Sequence, residues 1–317
     1  MPERTCPACH ANDTEAIESV NREDLIRSYR QKGIDVSAYL HGSSLTLHLC
    51  RHCELGFFDP PCVGDGAFYE QLQTQEWYYQ DDKPEYAYAA RQIPENCSVL
   101  EVGCGKGAFR AWLPTSVRYS GLEFNDEAVH KARAAGLDVR KLPIEAHADE
   151  GRRYDVVCAF QVLEHVEHPK QFFHACVQAL KPGGTLMIAV PAQDSFLAIA
   201  PNSQLNMPPH HVTRWTDRAL IHLAHSEGFH KADIWHEPVA SFHEEWFATT
   251  LAYHVLTRFG LYRPRLIDNS ARYRILGRMV RLPALRRVLV RSALKASPRL
   301  DVGHTVMLIA SQAGKTH

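Results

Sequence analysis

Val99-Leu-Glu-Val-Gly-Cys-Gly-Lys-Gly-Ala-Phe109 is an apolar run that feeds a glycine-rich turn. Val99, Leu100 and Val102 suit a central strand of a parallel sheet, buried on both faces. Gly103, Gly105 and Gly107 lack the Cβ atoms that would hold a ligand off the backbone, so the stretch predicts a nucleotide-like cofactor lying across the turn. Gly103-x-Gly105-x-x-Ala108 also satisfies the dinucleotide fingerprint, and Glu123 stands about 20 residues on, where a ribose-binding acid belongs. The glycines alone do not choose between cofactors.

Outward from this turn, strand and helix patterns alternate. Strands are expected over 98–103, 118–123, 137–141, 154–160, 184–190 and 230–236, helices over 106–113, 126–135, 169–180 and 217–227, and a last strand at Thr305–Ala310. This order predicts an α/β fold, a doubly wound Rossmann-like sheet that binds its ligand at the carboxyl ends of the strands. The organisation expected is a four-cysteine unit over 1–62, lid or linker helices over 63–97, the main domain over 98–237 with 300–317, and a helical insertion over 238–299 before the last strand.

Three motifs follow the turn in order: Tyr-Ser-Gly-Leu-Glu123-Phe124, then Gln161-Val-Leu-Glu-His165-Val, then Leu180-Lys-Pro-Gly-Gly184. With Glu101-x-Gly103-x-Gly105-x-Gly107, the series resembles the class I S-adenosylmethionine-dependent methyltransferases over roughly residues 95–235. The resemblance implies S-adenosylmethionine as cofactor. It implies Glu101 toward the methionine amino group and Gly103, Cys104, Gly105 and Gly107 under the cofactor. It further implies Glu123 on the ribose hydroxyls with Phe124 beside it, Ile144 and Glu145 around adenine, and Gln161 beside the methionyl part. A carboxylate offers two acceptor oxygens to a vicinal diol, which suits Glu123 to its role.

Ahead of this lie two Cys-x-x-Cys knuckles, Cys6-Pro-Ala-Cys9 and Cys50-Arg-His-Cys53, which can supply four thiolates to a tetrahedral Zn²⁺. His10, His48 and His52 are alternative ligands, but a complete set of four cysteines leaves no position for a catalytic water, so a structural zinc is expected. A helix is expected between the knuckles, over 24–32. Tyr78 and Tyr79, in the lid region, either line the pocket or pack on the domain. The other five cysteines are scattered, which fits reduced thiols better than disulfides.

The chain of 317 residues, 45% hydrophobic and 22% charged, can bury one large domain with additions. No apolar run approaches the roughly 18 residues of a membrane span, and a cytoplasmic enzyme is expected. Its net charge of −1 conceals residues 258–299, which hold twelve Arg or Lys and one acid, Asp268. Ile275, Leu276, Met279 and Val280, then Leu285, Val288 and Leu289, recur at helical spacing among the arginines, as in short basic amphipathic helices. Three readings stand: a helical cap, a surface for anionic lipid at the inner membrane or a lipid-linked substrate, and a site for phosphate-bearing ligands. Nucleic acid comes last, for want of interleaved aromatics.

Methyl transfer to a hydroxyl needs the acceptor held in line and its proton removed. Histidine is the natural base near neutral pH. His210 and His211, in Pro208-Pro-His-His, follow the fifth strand and precede a helix, which places them over the pocket; His165 is the third candidate and His243 a weaker one. Metal-assisted chemistry would need a cluster of carboxylates near this loop, where only Asp194 is well placed in sequence, so it is not the mechanism expected. The zinc knuckles and the Pro-Pro-His-His loop resemble bacterial zinc-ribbon methyltransferases that act on sugars and natural products. The resemblance implies O-methylation of a saccharide, glycolipid or similar metabolite. The alternatives are a degenerate scaffold that recruits a partner through the zinc unit and insertion, and a protein or nucleic-acid methyltransferase.

Overall fold

Two sheets organise the chain in a computed structural model that describes residues 4–73, 83–296 and 302–312. Tyr78 and Tyr79 lie outside the described residues. The first sheet begins with β1 (Thr14–Asn21), α1 (Arg22–Arg30), β2 (Ser44–Cys50) and β3 (Gly56–Asp59). Next come α2 (Gly66–Gln73) and α3 (Pro84–Gln92).

The second sheet starts at β4 (Ser98–Val102), buried along its whole length, as an apolar strand in mid-sheet should be. It continues through β5 (Arg118–Leu122), α4 (Asp126–Ala134), β6 (Val139–Arg140), α5 (Ile144–Asp149), β7 (Tyr154–Phe160), α6 (Pro169–Gln178) and β8 (Leu180–Pro191). After β9 (Thr213–Arg214) and α7 (Asp217–Ser226) come β10 (Lys231–His236), α8 (Glu244–Arg258), α9 (Ala271–Val280), α10 (Pro283–Ala296) and β11 (Thr305–Ser311). The seven strands lie in the order β10-β11-β8-β7-β4-β5-β6, with β11 antiparallel to both its neighbours and the other pairings parallel. The chain leaves β4 for β5 on one side and returns to β7 on the other, so the crevice at a topological switch point opens beside the glycine turn. This is the expected Rossmann-like sheet.

The helix expected over 106–113 is a single 3-10 turn, Ala108–Trp112. Gly107 enters it at φ 81°, and Pro114 lies two residues beyond its end, so there is no room for a second turn. The short helix α5 had no expected counterpart.

The four-stranded sheet has the order β1-β2-β3-β9, and its last strand comes from beyond β8. Gly56 and Phe57 pair with Arg214 and Thr213, and Phe58 N–H donates to Val212 O at 3.0 Å. Cys6, Cys50, Cys53, Leu55 and Phe57 share one continuous apolar core with Leu100, Val157, Ile188 and Trp215 of the main domain. The knuckles are therefore built into the main domain's core. In the insertion, Val280, Leu289 and Ala293 pack with Phe247, Leu251 and Val255 of α8, while Ile275, Met279, Leu282 and Val288 stay exposed.

Candidate functional site

A cavity of about 1360 Å³ opens along the carboxyl ends of β4, β5 and β7 and runs on beneath the Pro-Pro-His-His segment. At one end lies the glycine turn, with Gly103, Gly105 and Gly107 at φ 72°, 53° and 81°. A Cβ on Gly103 would come within 2.4 Å of Val162 Cγ2, and one on Gly107 within 2.3 Å of Leu137 Cδ1. These two glycines are thus required by the turn's own packing as well.

Glu123 ends β5 facing this turn. One carboxylate oxygen accepts the N–H of Gly105 at 2.8 Å, and the other accepts those of Phe124 and Asn125 at 2.7 and 2.8 Å. Three main-chain donors hold the carboxylate in place at the cavity wall and use three of its about four acceptor positions, which leaves one, on the oxygen that Gly105 contacts, for a ribose hydroxyl. Phe124, 64% exposed, flanks it with an uncovered ring, and buried Ile144 and exposed Glu145 stand opposite at the start of α5. Gln161, at φ 58°, reaches Glu85 and Thr305.

Eight of the ten expected cofactor residues line the cavity: Gly103, Cys104, Gly105, Glu123, Phe124, Ile144, Glu145 and Gln161. The thiol of Cys104 turns away, into the space a Gly121 side chain would fill. Glu101 and Gly107 lie beneath the surface. Glu101 is buried and accepts the Tyr119 hydroxyl, and burial pushes its carboxyl up to about 8 against that bond.

In the lining of the same cavity the three candidate histidines converge, with ring nitrogens within 4.8 Å of one another. His165 Nδ1 donates to His210 O at 2.6 Å, His210 Nδ1 to Leu205 O at 2.8 Å, and His211 Nδ1 to Asn206 Oδ1 at 3.3 Å. An oxygen acceptor at each Nδ1 sets the tautomer that carries its basic lone pair on Nε2. Burial pulls His165 down to about 4 and holds His210 and His211 well below the usual imidazole range, so all three are neutral at physiological pH. Tyr69 packs its ring on His165 and His210.

Sequence reasoning gave no role to Glu164, Tyr69, Glu237, Trp246 or His304, all of which line this cavity. They come from five separate segments, and no local pattern joins them. His243 joins them, beside Trp246 and His304. Asp194 is placed elsewhere: it accepts the N–H of Asp217 at the start of α7. The carboxylate beside the histidines is instead Glu164, 1% exposed and pushed up by burial to about 8.

The four knuckle thiols also converge, within 4.8 Å of one another. Cys6 and Cys53 Sγ are 3.6 Å apart, Cys9 and Cys50 3.5 Å. Tetrahedral zinc with bonds of about 2.3 Å spaces its sulfurs by about 3.8 Å, so the set fits that ion. The knuckles have matching geometry: His10 and Glu54 follow their cysteine pairs at φ 60° and 67° and donate to Cys6 O and Cys50 O. His10 and His52 lie outside the set of converging ligand atoms, as does His48, whose ring stacks on Phe57.

A family model described as a methyltransferase domain matches residues 69–233. The ubiquinone biosynthesis O-methyltransferase of Salmonella arizonae is 28% identical over 156 residues, 42% of this chain and 64% of that protein. That of Photorhabdus laumondii is likewise 28% identical, over 42% of this chain and 65% of its own length. The chain thus spans less than two thirds of the curated relatives it matches. Among solved structures, a SAM-dependent methyltransferase from Archaeoglobus fulgidus shares the fold, with a TM-score of 0.52 at 17% identity over 77% of this chain and 100% of that one.

Proposed function

The chain belongs to the methyltransferase-domain family, and from that premise we propose that it is an S-adenosylmethionine-dependent O-methyltransferase of a small hydroxyl-bearing metabolite. The observation that carries this reading is the Glu123 carboxylate, fixed by three main-chain donors at the wall of a cavity that continues to the histidine cluster. S-adenosylmethionine, when bound, supplies a methyl group already activated on a sulfonium. The residues proposed to hold it are Glu123 for the ribose, Phe124 and Ile144 for the base, and Gly103 to Gly105 with Gln161 for the methionyl part. Glu101 supports the turn from below.

The protein's remaining task is to place the acceptor oxygen in line and favour its deprotonated form. We assign that task to His165, His210 and His211, whose neutral rings line the cavity. Buried Glu237 and half-buried His304, which line the same cavity, suit an acceptor rich in hydroxyls, and a saccharide or glycolipid is the class proposed. The relatives' names, as O-methyltransferases, support oxygen as the atom methylated.

Zinc in the four-cysteine set takes a structural part in this reading. The sheet it anchors pairs through β3 with β9, directly after His211. That continuity speaks against a detachable recruiting module.

Exposed Ile275, Met279, Leu282 and Val288 are interspersed, along α9, α10 and the two-residue link between them, with exposed Arg274, Arg278, Arg281, Arg287 and Arg291. This supports a peripheral contact with an anionic membrane surface, which would bring a lipid-linked acceptor within reach. No helix among the described residues is long and apolar enough to cross a membrane.

The test is calorimetry with S-adenosylmethionine, followed by transfer from methyl-labelled cofactor to fractionated saccharide, glycolipid, protein and RNA acceptors. Label in an ether of the small-molecule fractions is the expected result. Cofactor binding without transfer to any fraction would favour a scaffold, and label in RNA or protein would move the substrate class.

A further inference from the structure

We propose that Glu164, His165, His210 and His211 form a site for one divalent transition-metal ion, separate from the four knuckle cysteines. Glu164 Oε1 lies 3.7 Å from His165 Nε2 and 3.8 Å from His211 Nε2, and the three imidazoles offer nitrogens within 4.8 Å of one another. A tetrahedral ion with bonds of about 2.1 Å spaces its ligands by about 3.4 Å. Glu164 stands within a few tenths of an ångström of that spacing from His165 and His211, and side-chain movements of about an ångström would draw the three imidazoles in to close the set.

The second observation is the state of Glu164. Both its oxygens are buried and, among the described residues, neither has a hydrogen-bond partner. A buried carboxyl is normally satisfied, because leaving its oxygens unbonded costs the full desolvation of the group. Its near neighbours are imidazole nitrogens whose tautomer, fixed by oxygen acceptors at Nδ1, turns a lone pair rather than a proton toward it. Lone pairs facing a carboxylate make a poor contact by themselves and a good one around a cation.

The outer contacts match a metal centre too. Ligating histidines almost always donate their other ring nitrogen to a carbonyl or carboxylate, which fixes the ring's orientation. Here the acceptors are His210 O, Leu205 O and Asn206 Oδ1. Three imidazoles and one carboxylate favour Zn²⁺, Fe²⁺, Co²⁺ or Mn²⁺ over Ca²⁺ and Mg²⁺, which prefer all-oxygen sets.

The role in the reaction rests on the methyltransferase reading. All four residues line the cavity, so an ion held by them borders the acceptor space. There it would lower the pKa of an acceptor hydroxyl, whose proton passes to water, and the oxygen would then bond to the sulfonium's methyl carbon as the carbon–sulfur bond breaks and S-adenosylhomocysteine leaves.

The test uses the full chain produced with Co²⁺. Two equivalents are expected, one with the intense thiolate-to-cobalt charge-transfer band of a tetrathiolate site and one with only the weak visible bands of a nitrogen and oxygen site. Glu164→Gln and His211→Ala should each lose the second equivalent and keep the first, whereas Cys50→Ser should lose the thiolate band. A single equivalent of thiolate character in the wild-type chain overturns the proposal whatever the variants do. So does retention of both equivalents in Glu164→Gln and His211→Ala. S-adenosylmethionine calorimetry on the same samples separates the two ideas: absence of cofactor binding in the wild type fails the methyltransferase reading and leaves the metal count standing.

Discussion

Phe58 donates its main-chain N–H to Val212 O at 3.0 Å, which joins the sheet of the cysteine knuckles to the residue next to His211. The N–H of Val212 in turn donates to Glu164 O at 3.0 Å. Whatever orders the knuckles therefore orders the histidines and Glu164. If zinc holds Cys6, Cys9, Cys50 and Cys53, Cys50→Ser should lower the melting temperature and the rate together, even though its side chain lies outside the cavity. Elemental analysis, a thermal melt and an activity assay on one preparation check this. A metal-poor variant with native stability and rate would count against the link.

Glu123→Ala removes the carboxylate that Gly105, Phe124 and Asn125 hold in place. Loss of charge-assisted bonds to the ribose should weaken S-adenosylmethionine binding by about 1–3 kcal/mol. Calorimetry reads this directly, and unchanged affinity would remove Glu123 from the cofactor site.

His210→Ala and His211→Ala, made separately, should each lower kcat by roughly 10²–10⁴ while S-adenosylmethionine affinity stays nearly constant. Neither ring belongs to the residues proposed to hold the cofactor, which is why the effects should separate. A steady-state assay beside calorimetry distinguishes them. Full activity in both variants would mean that positioning alone suffices.

Gly103→Ala would set a Cβ 2.4 Å from Val162 Cγ2 at a φ of 72°. Overpacking of this kind costs about 1–3 kcal/mol. Denaturant unfolding should show the loss, and Val162→Ala in the same chain should recover the part due to the clash but not the part due to the left-handed backbone. Complete recovery would mean that backbone strain contributes nothing here.

Asp155 accepts from the N–H and hydroxyl of Ser98 and from Lys181, tying the near ends of β4, β7 and β8. Partial burial pushes its carboxyl up, but these donors outweigh it and bring it down to about 2. A carboxyl depressed in the folded state adds stability that is complete above its unfolded value of about 3.9 and is lost as pH falls toward about 2. Asp155→Asn should therefore flatten the acid-unfolding curve between those values. A variant curve parallel to the wild type's would show the cluster to be silent.

Local pattern was enough to read β4, β7, α7 and the turn after β4, because apolar runs, caps and glycines specify them through contacts between near neighbours. Glu123 was legible for the same reason, since a strand end and a turn 18 residues apart are brought together by one βαβ-like crossover. The knuckle cysteines were legible because tetrahedral coordination demands paired thiols at fixed spacing. The folded chain alone shows that β9 completes the first sheet, that Gly103 and Gly107 answer to Val162 and Leu137, and that Asp194 leaves the site while Glu164 enters it. Each of these depends on groups far apart in the chain whose burial and hydrogen bonding are settled only when the whole core closes. Periodicity reports which face of an element is apolar. It carries no record of which carboxylate will be buried there beside imidazoles from a distant loop.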